Sequence, residues 1–168
     1  MEAIEWIDRT LRRVEDMLYD DQIDEALEVL HKVLEEEPGY APLHGFLGWA
    51  YAYFANDPSW AETHLRMAIR FCAEFASPYH YLGDVLNKGE RYEEAIECFR
   101  AGLKARNPNR NALYEGMARA YEMLKQYRKA IRAYREAAAV AVDDYEVHRN
   151  LQSVKRCRKK RLALMFSF

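Results

Sequence analysis

The chain has 168 residues, and its 25 Lys and Arg against 27 Asp and Glu give a formal net charge of −2 at pH 7. A hydrophobic fraction of 50 % supports one domain with a continuous core, and the few Gly and Pro leave little room for long linkers. The sequence has no apolar run long enough to span a membrane, and its acidic start, MEAIEWIDRT, is unlike a signal peptide. Its three cysteines lack zinc-site spacing, so we expect a reduced, cytoplasmic protein.

Helical periodicity begins with the first residues of the chain. From about Glu2 to Tyr19, apolar residues recur every three or four positions, which predicts an amphipathic helix. Its apolar stripe consists of Ile4, Ile7, Leu11, Val14 and Leu18. The turn YDDQIDEA then leads into a second helix, which we expect to end near Glu37, before Pro38-Gly39.

The rest of the chain repeats this helix pair. An alanine of the second helix recurs at intervals of 35, 34 and 35, at Ala26, Ala61, Ala95 and Ala130. A pair in the first helix recurs as Leu47-Gly48, Leu82-Gly83 and Met117-Ala118. The spacing predicts four helix pairs over about residues 7–40, 41–75, 76–110 and 111–144. A last helix should begin near Asp144, and the apolar segment LALMFSF that follows it carries no clear structural signal.

The residues between and within the helices suggest how each pair closes. A small residue such as Gly83 allows two helices to approach closely, and Phe99 is expected to fill the space that remains. Gly89 lies between the helices of the third pair, where we expect it to adopt the positive φ of a sharp turn. In the second pair, Asp57 is a predicted N-cap with Pro58 at the first helical position.

This period and pattern resemble the tetratricopeptide repeat over roughly residues 7–144. The aromatic residue that the family places after Leu-Gly in the first helix is replaced by Met17 and Leu86 in the first and third repeats. The resemblance implies an all-α, right-handed solenoid of antiparallel helix pairs. It also implies a single domain over residues 1–168, with a capping helix and a basic, apolar tail over residues 145–168.

The resemblance implies a binding surface as well, because the first helices of such repeats line a concave groove that takes extended peptides or partner helices. The groove positions that we single out are Trp49, Tyr53, His80, Asp84, Lys88 and Arg119. We expect an apolar side chain of the partner to bury itself against Trp49 and Tyr53, since Trp and Tyr carry much of the energy of protein interfaces. Asp84 and Arg119 would then orient the ligand. The alternative is that both rings merely pack against neighbouring helices.

One ligand class can be tested against the resemblance. Chaperone-binding members of the family hold a C-terminal carboxylate with Lys, Asn and Arg at set positions of the first helices. Here those positions hold Leu11, Glu15, Phe46, Ser77 and Tyr81. None of these residues matches the family's clamp, and a register one repeat later fails too. We therefore expect an apolar-anchored segment rather than an acidic chaperone tail.

Charge is distributed unevenly along the chain. Residues 1–40 carry thirteen acids against four bases, whereas residues 145–168 carry seven bases against one acid. Most of the positive excess lies in Lys155, Arg156, Arg158, Lys159, Lys160 and Arg161. This cluster fits the solvated face of a terminal helix, a contact with acidic lipid headgroups, or pairing with the acidic end of another copy. Nucleic acid fits least, because no RNA-stacking motif accompanies the bases.

Catalytic and metal-binding patterns are absent from the sequence. It has no Gly-rich phosphate loop after a strand, no His-Glu-x-x-His and no cysteine pair at zinc spacing, and its five histidines are spread over separate helices. We therefore predict a non-enzymatic adaptor, without a cofactor or metal, that binds a peptide or helix of a partner protein. The alternatives are a self-assembling structural protein and a membrane-surface assembly factor that acts through the basic, apolar tail.

Overall fold

The computed structural model describes the backbone of residues 2–166 and the side chains of residues 5–166. This part of the chain is all-α, as predicted. The helices are α1 Glu2–Tyr19, α2 Ile23–Glu36, α3 Ala41–Tyr53, α4 Pro58–Phe71, α5 Ser77–Lys88, α6 Tyr92–Gly102, α7 Arg110–Met123, α8 Tyr127–Val140 and α9 Asp144–Met165. These bounds confirm four helix pairs and a last helix, which continues through most of the apolar segment LALMFSF. The side chain of Ile4 and the last two residues of that segment lie outside the described residues.

The helices divide into two compact units whose boundary lies within α5. The first unit runs up to Leu82 and contains α1 to α4 with the start of α5, and the second runs from Gly83 onward. In the first unit, α1 packs on α2 and α3 packs on α4. In the second unit, α7 packs on α6 and α8, and α9 lies against α8, as predicted for a capping helix. The single domain over residues 1–168 stays a prediction.

A backbone with positive φ closes the turn within each helix pair, but glycine does not supply it. Positive φ occurs at Asp21, Asn56, Glu90 and Lys125, at the same intervals of 35, 34 and 35 as the buried alanines. The expectation for Gly89 was therefore wrong. Gly89 still donates its N–H to the carbonyl of Val85 in a last helical bond, so the reversal falls on Glu90, with φ of 60°. The N–H of Arg91 then donates to the carbonyl of Leu86 and ends the helix.

Small residues bring the helices of each unit together, which confirms that part of the sequence analysis. The ring of Phe99 is fully buried and lies against Gly83 and Gly116, where a side chain on either glycine would overlap it. In the first unit, the buried Leu65 lies in the same way against Gly48. Each large side chain thus fills a space that a glycine on a neighbouring helix provides.

The predicted cap on α4 is also present. Both Ser59 and Trp60 donate their backbone N–H groups to the Asp57 carboxylate at 3.1 Å, and Pro58 occupies the first helical position. The cap satisfies two N–H groups that a helix start leaves without partners. It fixes the point where the fourth helix begins, and therefore the register in which α4 lies against α3.

Candidate binding groove

An open groove of about 430 Å³ lies within the first unit, bordered by α1, α3 and the start of α5. Its lining is mostly apolar or aromatic. The lining residues are Leu11, Glu15, Tyr19, Pro42, Gly45, Phe46, Trp49, Phe75, Ser77 and Tyr81. Glu15 is the only charged residue among those that line the groove in the described part of the chain. A concave surface with many aromatic side chains and few polar ones is typical of a binding site.

The aromatic rings of this groove support one another. Phe46 and Trp49 lie one turn apart on α3, with ring centroids 5.1 Å apart, and Trp49 also lies 5.0 Å from Phe54. Tyr19, from the end of α1, approaches both Trp49 and Phe54 edge-on, at 6.4 and 5.4 Å. These edge-to-face contacts hold Trp49 half-buried in a fixed orientation, so the groove needs little ordering before a ligand arrives.

The structure separates the groove residues that the sequence singled out within the first unit. Trp49 lines the groove. Tyr53, one turn further along α3, is 42 % exposed, and its ring packs 5.9 Å from the ring of Tyr81 rather than lining the groove. His80 is half-buried, with its ring 5.3 Å from that of Tyr81. Tyr81 therefore links the groove to Tyr53 and His80, whose binding roles stay predictions.

In the second unit, Asp84 and Arg119 bind each other. Nη2 of Arg119 donates to Oδ1 of Asp84 at 2.9 Å, which joins α7 to α5. Lys88 lies exposed at the last residue of α5. An orienting role for Asp84 and Arg119 would require a ligand to share or replace this ion pair, and it too stays a prediction.

The comparison with known families identifies the repeat. The family model of the tetratricopeptide repeat matches residues 74–141, and the same spacing of alanines and helix turns extends through the first unit. Residues 74–141 therefore belong to the tetratricopeptide-repeat family. No curated protein shows significant sequence similarity to the chain.

Solved structures show the same fold. A crystal structure of the MamA protein matches with a TM-score of 0.74 at 20 % identity, covering 92 % of this chain and 84 % of that one. PilF of Pseudomonas aeruginosa matches with a TM-score of 0.79 at 17 % identity, covering 97 % and 78 %. A MamA segment from Desulfovibrio magneticus RS-1 matches with a TM-score of 0.71 at 19 % identity, covering 94 % and 92 %. At these identities the likeness shows a tetratricopeptide-repeat fold.

The positions that correspond to the family's carboxylate clamp converge on the groove. Leu11, Glu15, Phe46, Ser77 and Tyr81 all line it. Where the resemblance places basic and amide side chains, this groove has apolar, aromatic, hydroxyl and acidic ones. From the sequence, these five positions excluded one class of ligand and predicted no site. The absence of cations from all five, with Leu11, Phe46 and Tyr81 among them, was the signal that could have identified an apolar site.

Ion pairs one repeat apart tie together the first helices of the second unit. Besides the pair of Asp84 with Arg119, Arg149 of α9 donates to Glu115 of α7, 34 residues away. Arg156 of α9 donates to Glu122 of α7, again 34 residues away. A spacing of one repeat places two residues at equivalent positions of successive helices, so α9 takes the place of the first helix of a further repeat.

Glu122 is the centre of the largest of these networks. Its carboxylate is 8 % exposed and accepts hydrogen bonds from Arg156, Lys160 and the hydroxyl of Tyr134. Burial opposes its ionisation, but the bonds from Arg156 and Lys160 outweigh burial and lower the pKa of Glu122 to about 2. Burial, reinforced by the charge of Glu122, raises the pKa of the neighbouring Cys157 thiol to about 11. Glu122 is thus a buried, charged carboxylate.

The basic cluster of α9 divides into two groups as a result. Arg156 and Lys160 face Glu122 and have a structural role. Lys155, Arg158 and Lys159 are exposed, and Arg161 is half-buried. The outward group is the part of the predicted contact that a ligand can reach.

A pair of buried histidines lies inside the first unit and was not anticipated as a pair. His44 and His64 are each 3 % exposed, and their Nδ1 atoms are 3.0 Å apart. Nε2 of His44 lies 3.0 Å from the carbonyl of Pro38 and must donate to it, so Nδ1 of His44 accepts the proton of His64. His44 lies on α3 and His64 on the antiparallel α4, a pairing that helical spacing within either segment does not reveal.

The surroundings of His64 keep its ring neutral. The ring of His64 stacks on those of Tyr51 and Trp60, each at 5.8 Å. Burial, with the nearby charges of His44 and His31, lowers the pKa of His64 to about 4. Among the described residues, no group of three or more His, Cys, Asp or Glu side chains is placed to hold a metal ion. The histidines act as packed core residues whose protonation would disturb the hairpin of α3 and α4.

Proposed function

We propose that this chain, which has a tetratricopeptide-repeat fold, is a non-enzymatic adaptor that holds a segment of a partner protein in the groove of its first unit. The family is one of protein-interaction scaffolds, which supports the general role. The observation that carries the finer proposal is the convergence of the five clamp positions on an aromatic groove of about 430 Å³. Trp49 and Phe46 supply a pre-ordered apolar surface against which one large apolar side chain can be buried.

The charges around the groove define the partner further. Glu15 lines it, and residues 1–40 carry an excess of nine acids. Such a surface favours a segment with a Lys or Arg near its apolar anchor and disfavours an acidic tail. The hydroxyl groups of Ser77 and Tyr81 can bond to the backbone of that segment. Tyr53, His80, Asp84, Lys88 and Arg119 remain predicted contacts for the rest of it, and we place the complex in the cytoplasm.

Selection of displayed peptides tests this proposal even though the partner is unidentified. A random peptide library is panned on the intact chain, and the affinities of the selected peptides are then measured. We expect peptides with one large apolar residue flanked by a base. Trp49→Ala should weaken them by about thirtyfold, since a central aromatic anchor contributes about 2 kcal/mol. Peptides without these features, or an unchanged affinity, would contradict the proposal.

A charge reversal provides a matched control. Glu15→Lys places a base in the groove, whereas Asp16→Lys makes the same change at the next residue of α1, outside the groove lining. Both residues are exposed, so neither variant should alter the melting curve. We expect Glu15→Lys to weaken the selected peptides and Asp16→Lys to leave their affinity close to that of the unaltered chain.

Self-assembly is the second candidate function. It is favoured by the contrast between the acidic residues 1–40 and the seven bases of residues 145–168. Light scattering coupled to size-exclusion chromatography, at low and high salt, tests it. An oligomer that dissociates in salt supports assembly through these charges, whereas a monomer at both salt concentrations supports the adaptor alone.

A further inference from the structure

The end of α9 is apolar on all sides. Leu162, Leu164, Met165 and Phe166 are 50, 42, 68 and 82 % exposed. Consecutive helical residues are about 100° apart, so the run from Leu162 to Met165 surrounds the helix instead of forming one stripe. A helix that is apolar all round is normally covered by protein or lipid. The described residues of the second unit thus leave Met165 and Phe166 mostly exposed and cover only about half of Leu162 and Leu164.

The length of α9 explains why this end projects. It has 22 residues, whereas its partner α8 has 14. Val154 and Cys157 are buried against the body of the unit, but the same stripe continues to Arg161 and Leu164 beside the start of α8. The helix thus extends beyond the surface that its apolar stripe covers.

Exposed cations surround this apolar end. A cleft of about 760 Å³ between the start of α8 and the end of α9 has no acidic residue among its described lining. The lining residues are Lys125, Gln126, Tyr127, Arg128, Lys129, Arg161, Leu164 and Met165. On α9 itself, Lys155, Arg158 and Lys159 are exposed, and the sequence has no acid after Glu146. Arg156 and Lys160 do not add to this ring, because Glu122 engages both.

We propose that this end of the second unit docks on an anionic membrane surface, with the apolar side chains inserted among the lipids and the cations on acidic headgroups. An acidic protein segment would match the charges, but it would cover one side of the helix and leave the others in water. A lipid interface surrounds an inserted helix end completely. The proposed contact is an interfacial one. No helix among the described residues is long and apolar enough to cross a membrane.

The contact combines two weak signals. A few apolar side chains give only reversible membrane binding, and stable attachment needs a basic patch as well. Each Lys or Arg near an anionic surface increases binding by about fivefold, which corresponds to about 1 kcal/mol. We therefore expect binding that requires acidic lipid and weakens as salt is added.

Co-sedimentation of the full chain with lipid vesicles tests this proposal. One set contains phosphatidylcholine alone, and the other contains phosphatidylcholine with phosphatidylserine, each at low and high salt. We expect the chain to bind the vesicles with phosphatidylserine at low salt and to be released by salt. Absence of binding to these vesicles, or equal and salt-independent binding to both sets, would overturn the proposal.

Two matched pairs of variants locate the contact. The triple variant Lys155→Gln, Arg158→Gln, Lys159→Gln should weaken vesicle binding by about a hundredfold. Its control, Lys104→Gln, Arg106→Gln, Arg110→Gln, removes as many exposed cations from the second unit outside the cleft lining. If both triple variants lose vesicle binding equally, net charge alone would explain the loss, and the proposed site would be wrong. Since all six residues are exposed, the far-UV circular dichroism of both should be unchanged.

The effect of the apolar side chains distinguishes a lipid surface from an acidic protein as the partner. Phe166→Ser should weaken vesicle binding, whereas Val142→Ser, at a residue that is 97 % exposed, should not. Soluble polyglutamate serves as a lipid-free probe of the cations. If polyglutamate binds as tightly as the vesicles, and Phe166→Ser affects neither, the cations recognise an acidic protein segment and the membrane proposal is wrong.

Discussion

The two units accommodate buried polar groups in opposite ways. In the first unit the polar interior is the pair His44 and His64, and the ring of His64 is kept neutral and stacked on aromatic side chains. In the second unit it is a charged carboxylate, Glu122, whose ionised form is stabilised by two cations from α9. The same repeat fold therefore accommodates a neutral buried group in one unit and a charged one in the other.

This difference extends to the surfaces. The first unit presents an aromatic groove with one acidic residue in its lining, and the second presents exposed cations around an apolar helix end. What the units share is the set of small residues that bring the helices together, such as Gly48 and Gly83. The repeat pattern thus determines how the helices pack and leaves the remaining positions free for different ligands.

The largest expected effect tests whether the shared packing is equally important in both units. Phe99→Ala removes a fully buried ring from the second unit and should lower the free energy of unfolding by about 3–5 kcal/mol. Leu65→Ala makes the equivalent change in the first unit and should lower it by about 2–5 kcal/mol. Denaturant melts measure both. A loss below about 1 kcal/mol in either variant would show that the side chain does not fill the space beside its glycine.

Acid should affect the first unit before the second. The pKa of His64 is near 6.5 in the unfolded chain and about 4 in the folded one, so the unfolded state binds more protons between these values. The contribution of His64 to the free energy of unfolding is therefore fully present above pH 6.5. It decreases by about 2–3 kcal/mol as the pH falls towards 4. For Glu122 the corresponding values are 4.5 and about 2, so its contribution is lost only as the pH falls below 4.5.

The position of the tryptophans makes this order measurable. Trp6, Trp49 and Trp60 all lie in the first unit, so tryptophan fluorescence reports on that unit, whereas far-UV circular dichroism reports on both. The midpoint of unfolding followed by fluorescence should fall as the pH is lowered from 6.5 to 4. His64→Gln should reduce this pH dependence, and His148→Gln, at an exposed histidine of α9, should not. An unchanged dependence in His64→Gln would rule out the buried pair as its cause.

The smallest effect concerns the turn of the third pair. Gly89 does not have positive φ, and the nearest atoms to an added Cβ would be 3.5 and 3.6 Å away, so Gly89→Ala should stabilise the chain by about 0.4–1 kcal/mol. Glu90→Gly relieves a left-handed residue and should also be tolerated. Thermal melts of both variants provide the measurement. A clear loss in Gly89→Ala would show that Gly89 makes the turn after all.

The sequence was sufficient for the helices because their signals are local or periodic. Apolar spacing and the recurring alanines predicted the helix pairs, and Asp57 with Pro58 predicted one helix start to the residue. The turn at Gly89 was mispredicted because glycine permits positive φ without requiring it. Lysine, aspartate, asparagine and glutamate occupy the left-handed position in the four turns because the turn geometry is imposed by the packed helices.

The site was less predictable because its residues come from separate helices. Trp49 was predicted as an anchor, but its ring partner Tyr19 becomes a neighbour only when α1 packs near α3. The ion pairs of α9 with α7 join residues one repeat apart, a spacing that the sequence shows. Many other residues have the same spacing without forming an ion pair. Only the distances between side chains on different helices identify the pairs that form.

Hydrogen exchange measured by mass spectrometry tests the central claim most directly, that the groove of the first unit is the recognition surface. A peptide selected from the displayed library is added to the intact chain, and the exchange rates of backbone amides are compared with and without it. We expect slower exchange within residues 11–19, 42–49 and 75–81, which contribute the groove lining. Slower exchange confined to α2 and α4, or to α8 and α9, with none in α1 and α3, would contradict the claim.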